Sequence, residues 1–427
     1  MNAAIIFIIL TVLMLTGMPV SISLGLTVLT FLFGFTDVPL ESVALKLFTG
    51  IEKFEIMAIP FFILAGNFLT HGGVAKRMIN FATAMVGHWY GGLGLGGVLA
   101  CALFAAVSGS SPATVVAIGS ILLPAMVKAG FPNRFGAGVI TTSGALGILI
   151  PPSIVMVMYS VATNTSVGAL FMAGVVPGLA LAATLGGVTW YRARKFDYPR
   201  QPKASFAERM KAFRDSVWGL LLIVVVMGGI YSGIFTPTEA AAMSAVYAFI
   251  VAVFIYKDMG LKDVPKVLLN SANMSAMLLY IITNAVLFSF IMTNENIPQA
   301  LADWMLGHGL GVIAFLLAVN VLLLLAGNFM EPSSIMLIFA PILFPVAMKL
   351  GIDPVHFGII MVVNMEVGMC HPPVGLNLYV ASGITKMGIT ELTVAVWPWL
   401  LAMLGFLVVV TYWPGLSLWF PRWLGML

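Results

Sequence analysis

Between Arg134 and Arg192 the chain carries no Asp, Glu, Lys or Arg, and the stretches from Met78 to Val127 and from Leu392 to Pro421 are equally free of them. Apolar runs of about 20 residues or more suffice to cross a hydrocarbon core about 30 Å thick. With 61% hydrophobic and 8% charged residues, no water-soluble surface can be built. The bilayer is therefore the solvent. Backbone groups within it must be satisfied internally, and the alternation that a β-barrel requires is missing, so the spans are expected to be helices.

The first segment, 1 to 35, lacks a basic leader and a small-residue cleavage site and is read as a membrane span rather than a signal peptide. Cys101 and Cys370 lie far apart in apolar segments and are expected to be small buried hydrophobes. The five histidines are scattered, so a metal-hydrolase site is not expected. A net charge of +4 reports topology here and does not point to nucleic acid.

Spans are expected at about 3 to 34 and 56 to 71, followed by a lateral amphipathic helix at 73 to 88. An apolar unit from Gly91 to Gly130 is broken by Ser108-Gly109-Ser110-Ser111-Pro112, which suggests a re-entrant hairpin. A span at 134 to 163 is interrupted by Pro151-Pro152, one at 167 to 190 follows, and a polar loop runs from Arg192 to Asp215. After a linking span at 217 to 234 the order repeats: spans at 238 to 256 and 266 to 292, then a lateral helix at 296 to 307. A second hairpin, Gly309 to Gly351, is broken at Gly327-Asn328-Phe329-Met330-Glu331-Pro332-Ser333-Ser334. A span broken at Pro372-Pro373 and a last span at 390 to 413 complete the chain.

The two halves align by number. Ile121-Leu122-Leu123-Pro124 matches Ile342-Leu343-Phe344-Pro345, Lys128-Ala129-Gly130 matches Lys349-Leu350-Gly351, and Pro151-Pro152 matches Pro372-Pro373, all 221 apart. Such an offset, held through hairpin and broken helix, indicates duplication. Eight of the 20 basic residues fall in the Arg192 loop. Threading from a cytoplasmic N-terminus puts sixteen inside and leaves Lys46, Lys53, Lys349 and Arg422 outside, as the positive-inside rule requires. The linking span then inverts the second half and places the C-terminus outside. The expected fold is an all-α polytopic membrane protein of two inverted-topology repeats, each with a re-entrant hairpin and a discontinuous helix.

Both hairpin tips and both double-proline breaks should meet near the midplane, each followed by a helix that starts at proline. Ser111 and Glu331 stand where caps belong. Four helix N-termini there would attract an anion, and the preceding helix ends would offer carbonyls to a small hard cation such as Na+. Glu331 and Glu366 are the acids placed inside spans or hairpins, and intramembrane acids are functional candidates. Glu331 is read as a substrate or cation contact. For Glu366, function and local backbone satisfaction stay equally open. His371 either lines the site or donates one structural hydrogen bond.

The strings SGSSPATVVAIGSILLPAM, GILIPPSIVMVMY, GNFMEPSSIMLIFAPILFP and MEVGMCHPPVGLNLYVASG resemble the large membrane subunit (DctM-like) of tripartite ATP-independent periplasmic (TRAP) transporters across the whole chain. The wording of the hairpins looks most like the C4-dicarboxylate branch, with sialic acid as the main competitor. The resemblance implies a Na+-driven organic-acid importer of the bacterial inner membrane that works by an elevator motion. Its partners would be a periplasmic substrate-binding protein and a small four-helix membrane subunit. It further implies a division into scaffold and lateral arm at 1–90, transport part at 91–191, basic loop and linking helix at 192–235, second scaffold part at 236–308 and second transport part at 309–427.

At least two Na+ are implied as coupling ions, with no other cofactor. One site would lie between the tip Ser108, Gly109, Ser110 and Ser111 and the break holding Gly144 and Gly147. A second would join Gly327, Asn328 and Glu331 to Gly368 and Met369. Substrate would meet Ser108, Ser110, Ser153, Glu331, Ser333 and Asn377. The family often has Asp at the position of Glu331 and Thr at that of His371. An ion channel, a membrane-embedded enzyme and a lone sodium/dicarboxylate symporter are the rival classes, and no catalytic constellation supports an enzyme.

Overall fold

The computed structural model describes residues 2–36, 38–328, 330–373 and 375–427, which fold without a strand. Phe329, in the second hairpin tip, and Val374, just past the second double proline, lie outside the described residues. Among the described residues eight helices are long and apolar enough to cross a membrane: Phe54–His71, Ser111–Lys128, Val167–Lys195, Phe206–Tyr231, Pro237–Ile255, Val264–Asn294, Pro332–Lys349 and Ile389–Tyr412.

In chain order the first half comprises α1 (Asn2–Leu15), α2 (Val20–Phe35), α3 (Leu40–Thr49), α4 (Ala58–His71), α5 (Val74–Val86), α6 (Gly92–Ser108), α7 (Ser111–Lys128), α8 (Asn133–Gly144), α9 (Ile154–Thr163) and α10 (Val167–Lys195). The rest comprises α11 (Phe206–Tyr231), α12 (Pro237–Ile250), α13 (Val264–Asn294), α14 (Ile297–Gly307), α15 (Val312–Gly327), α16 (Pro332–Lys349), α17 (Pro354–Cys370), α18 (Leu376–Thr385), α19 (Ile389–Tyr412) and α20 (Gly415–Trp423). Short α3 and α20 are additions to the sequence reading.

The single span expected at 3 to 34 is instead two helices that fold back on each other. Asn2 Nδ2 donates to Glu295 Oε2 at 2.7 Å, the Phe7 and Phe288 rings are 6.4 Å apart, and Gly25 abuts the Asn284 side chain. Along one straight helix, Gly25 would stand about 27 Å beyond Phe7 at 1.5 Å per residue. Its neighbour Asn284 is only about 6 Å along α13 from Phe288 by the same rise. The reversal falls at Thr16-Gly17-Met18-Pro19, where Gly17 takes a φ of +83° and Pro19 offers no N–H. Lys46 then sits over the Phe290 ring, so the N-terminus occupies the same end of α13 as Lys46. That corrects the single span expected for this segment to a pair of helices whose start returns to the Lys46 end of α13. The charge count is untouched, because Lys46 is the first basic residue of the chain.

The polar loop is also shorter than expected. α10 runs on to Lys195, with Arg192, Arg194 and Lys195 in its last turn, where cations meet the negative end of the helix. α11 starts at Phe206 because Ser205 and Glu208 form a capping box: the Ser205 N–H donates to Glu208 Oε2 at 2.6 Å, and the Glu208 N–H to Ser205 Oγ at 3.2 Å. Only residues 196–205 remain as loop.

α5 is amphipathic, as the sequence suggested, and buries Val74, Ala75, Met78, Ile79 and Ala82, one stripe at helical spacing. Its Arg77 pairs with Asp258 and stacks 3.8 Å from the centroid of Tyr256, tying the two halves together. Inside the bundle polar groups find one another. Asn364 Nδ2 donates to Asn320 Oδ1, and Asn320 Nδ2 to Thr411 Oγ1, each at 2.9 Å, a ladder across α17, α15 and α19.

Candidate functional site

The first hairpin turns between α6 and α7 through Gly109, at φ +59°, and Ser110, which is extended at the α7 N-cap. Ser110 presents no capping side chain. Ser111, expected as the cap, stands inside the first turn, and its hydroxyl donates across to Gly144 O at 2.9 Å. Ser108 Oγ and Thr114 Oγ1 lie 2.9 Å apart, and Thr114 donates to Ser110 O at 2.9 Å. Tip and break touch backbone to backbone. A Cβ on Gly147 would stand 2.6 Å from Ser110 O, and one on Gly109 3.0 Å from Pro152 O. The six first-site residues, Ser108, Gly109, Ser110, Ser111, Gly144 and Gly147, are thus brought together.

The break itself follows from proline chemistry. α8 tightens into a 3-10 turn, Ala145–Ile148, and the chain passes through Pro151-Pro152, which cannot donate. α9 begins at Ile154 with Ser153 as its cap, so it does not start at proline. Ser153 Oγ donates to Ile148 O at 2.6 Å and accepts from the Met156 N–H at 3.4 Å, which spends its hydroxyl on holding the break. The second break differs from expectation in the same way, for α18 begins at Leu376, beyond Pro372-Pro373. Only α7 and α16 carry proline in their first turn at these four positions.

The second hairpin meets its break just as closely. A Cβ on Gly368 would lie 3.1 Å from Gly327 Cα. The Asn328 amide faces His371 and Pro372; with its nitrogen towards them it donates to His371 O at 3.1 Å and Pro372 O at 2.9 Å, both of which can only accept. His371 accepts here, through its carbonyl, rather than donating. Glu331 is the N-cap of α16 in backbone terms, yet its carboxylate accepts from the Ser334 hydroxyl at 3.1 Å and caps no N–H. Ser333 is buried in the following turn. No hydrogen bond among the described residues joins Glu331 or Ser333 to Ser108, Ser110 or Ser153.

The two halves join at Asn377. Its Nδ2 donates to Ser111 Oγ at 2.8 Å, while Cys370 Sγ donates to Thr141 O at 3.4 Å. Asn377 Oδ1 is buried and without a partner. The start of α18 is therefore fixed against the start of α7. Cys370 is buried as expected but is also a polar link, and Thr114 and Thr141 are site residues that the sequence did not single out. Glu366 is fully buried in α17, with the backbone of Leu149 in the first break beside it. Among the described residues no three His, Cys, Asp or Glu come together as a metal cluster. The polar atoms gathered here are hydroxyl and carbonyl oxygens, the ligands of hard cations.

A model of the tripartite ATP-independent periplasmic transporter family, DctM component, matches residues 7–416. The chain belongs to this family. It is accordingly a multi-pass transporter component of a tripartite system, not an enzyme. It is 77% identical, over 100% of both chains, to the C4-dicarboxylate TRAP transporter large permease protein DctM of Rhodobacter capsulatus. It is 56% identical, over 95% of both chains, to the protein of the same description in Pseudomonas aeruginosa. Among solved structures it resembles the YdaH transporter of Alcanivorax borkumensis with a TM-score of 0.63 over 88% of this chain and 89% of that one; at 16% identity the likeness concerns the fold.

Proposed function

We propose that this TRAP large permease imports a C4-dicarboxylate, delivered by a periplasmic binding protein, with a small membrane subunit and a sodium gradient. The observation that carries the reading is the meeting of both halves at Ser111 and Asn377, where hairpin tip, broken helix and opposite half share one buried polar cluster. A relative 77% identical is described as a C4-dicarboxylate permease, which favours that substrate over sialic acid.

In this mechanism Na+ is cargo. One ion is held by the tip Ser108 to Ser111 with the carbonyls of the Gly144 to Gly147 break, and another by Gly327, Asn328 and Glu331 with Gly368 and Met369. Glu331 bears on the cation rather than on the substrate, because a carboxylate beside a dicarboxylate raises the energy of both unless a cation lies between them. The dicarboxylate is received by the N–H groups opening α7 and α16, together with Ser108, Ser110, Ser333 and Asn377. Ser153 holds the floor of the site through its bond to Ile148 O.

The two halves act as inverted repeats. Residues 91–191 and 309–427 move as the transport part of an elevator against the scaffold of 1–90 and 236–308, with 192–235 as the connection. In the bacterial inner membrane the 196–205 loop faces the cytoplasm. Both termini face the periplasm, since Asn2 lies with Glu295, and Met426 lines a cavity with Lys53. Proteoliposomes holding this chain test the proposal. Uptake of succinate should need a sodium gradient, the small subunit and the binding protein together; uptake by this chain alone, or undiminished uptake in potassium, overturns it.

A further inference from the structure

We propose that the cavity between α15, α17, α19 and α20 binds one phospholipid through a zwitterionic ethanolamine headgroup. The cavity has a volume of about 730 Å³ and is lined by both charged and apolar side chains. Asp353, His356 and Arg422 line it together with Val312, Ile313, Leu316 and Leu418. Tyr412 lines it too, and Trp413, Trp419 and Trp423 are exposed nearby in sequence, the aromatic belt that marks headgroup depth.

The polar groups select the headgroup. Arg422 makes no ion pair among the described residues, and Asp353 and Arg422 are not paired with each other. One positive and one negative group therefore line the same cavity, the complement of a phosphate and an ammonium. His356 fixes the wall. Ser417 gives its hydroxyl proton to Pro414 O at 3.1 Å, so the 2.7 Å contact from His356 Nδ1 to Ser417 Oγ is a donation by the ring. The ring is enclosed, on a residue only 2% exposed, so His356 holds α17 to α20 behind the cavity wall. Asp353 spends one oxygen on the N–H groups of Val355 and His356, at 2.9 and 3.1 Å, which fixes it at the start of α17.

An ethanolamine ammonium has three N–H donors for the Asp353 carboxylate, while its phosphate meets Arg422 as a charge-assisted pair. A choline headgroup has no N–H to give. A glycerol headgroup has no positive charge for Asp353. The acyl chains then follow the apolar wall of Val312, Ile313, Leu316 and Leu418, of which Ile313 is 71% exposed and would otherwise face the bilayer unpacked.

Native mass spectrometry of the full-length chain, delipidated in detergent and titrated with phosphatidylethanolamine, phosphatidylcholine and phosphatidylglycerol, tests this. One phosphatidylethanolamine per chain should be retained in preference to the other two. Arg422→Gln and Asp353→Asn should each weaken retention about tenfold, the size of one charge-assisted hydrogen bond. Asn is itself a good cap, so the second change removes charge while keeping the helix start. Ile313→Trp, which fills space against the apolar lining, should do the same and carries the test if either polar variant fails to fold. Equal retention of the three lipids, unchanged binding by folded variants, or loss of the lipid when the small subunit associates, which would make this face a protein interface, overturns the proposal.

Discussion

Asn377 and Ser111 lie 266 positions apart in the chain and share a 2.8 Å hydrogen bond in the buried centre of the molecule, between the start of α18 and the start of α7. Through Ser111 the link continues to Gly144 O, so one side chain of the second half bears on both the hairpin tip and the broken helix of the first.

Asn377→Ala removes that link and leaves Ser111 without its donor. The expected loss is about 1–3 kcal/mol of stability, the cost of an unsatisfied buried polar group, with a marked fall in sodium-driven uptake. Thermal unfolding and uptake measured on the same preparation check it. Wild-type behaviour in both would mean that the halves are not coupled at this bond.

Gly147→Ala forces a Cβ to within 2.6 Å of Ser110 O, a backbone atom that cannot swing aside. Overpacking of this kind costs about 1–3 kcal/mol, and here it should separate the tip from the break. A raised sodium requirement with folded protein is the expected result, read from uptake against sodium concentration. Gly187→Ala serves as control, since nothing lies within 4 Å of its Cβ position.

Among the described residues Glu331 accepts from Ser334 Oγ alone, so its carboxylate is available to a cation. Glu331→Ala should strongly impair transport while the protein assembles normally. Glu331→Gln keeps the Ser334 contact and should transport only at higher sodium. Near-normal uptake and sodium dependence in both variants would return Glu331 to a local role in the hairpin.

Lys53 lies outside the spans and donates from Nζ to Val161 O at 2.5 Å and to Asn164 Oδ1 at 2.7 Å, joining the segment before α4 to the end of α9. If α9 travels with the transport part, this contact changes in every cycle. An oxidised cysteine pair replacing Lys53 and Asn164 should stop uptake, and a reductant should restore it. The native Cys101 and Cys370 are buried and should not compete. Full uptake with the cross-link complete would rule out movement of α9 past residue 53.

Because Asn2 lies at the Glu295 end of α13, tags at the two termini should report the same side of the membrane, and a tag in 196–205 the opposite side. Topology reporters fused at each position decide it. Opposite locations for the two termini would contradict the fold-back of α1 and α2.

The amino-acid sequence determined the solvent, the order of elements and the family. Charge-free runs exceed what water tolerates, and the breaks at Pro151-Pro152 and Pro372-Pro373 stand 221 residues apart. The hairpins were legible because glycine, serine and proline interrupt helices by local backbone chemistry. What remained hidden depended on contacts across the chain. Local pattern does not distinguish a kink at Thr16-Gly17-Met18-Pro19 from a reversal; the packing of Asn2, Phe7 and Gly25 along α13 decides between them. Nor does spacing reveal that Ser111 turns away from its own helix to Gly144, or that Thr141 and Cys370 meet. Those are properties of side chains brought together by tertiary packing, where a buried polar group must find whatever partner the fold places beside it.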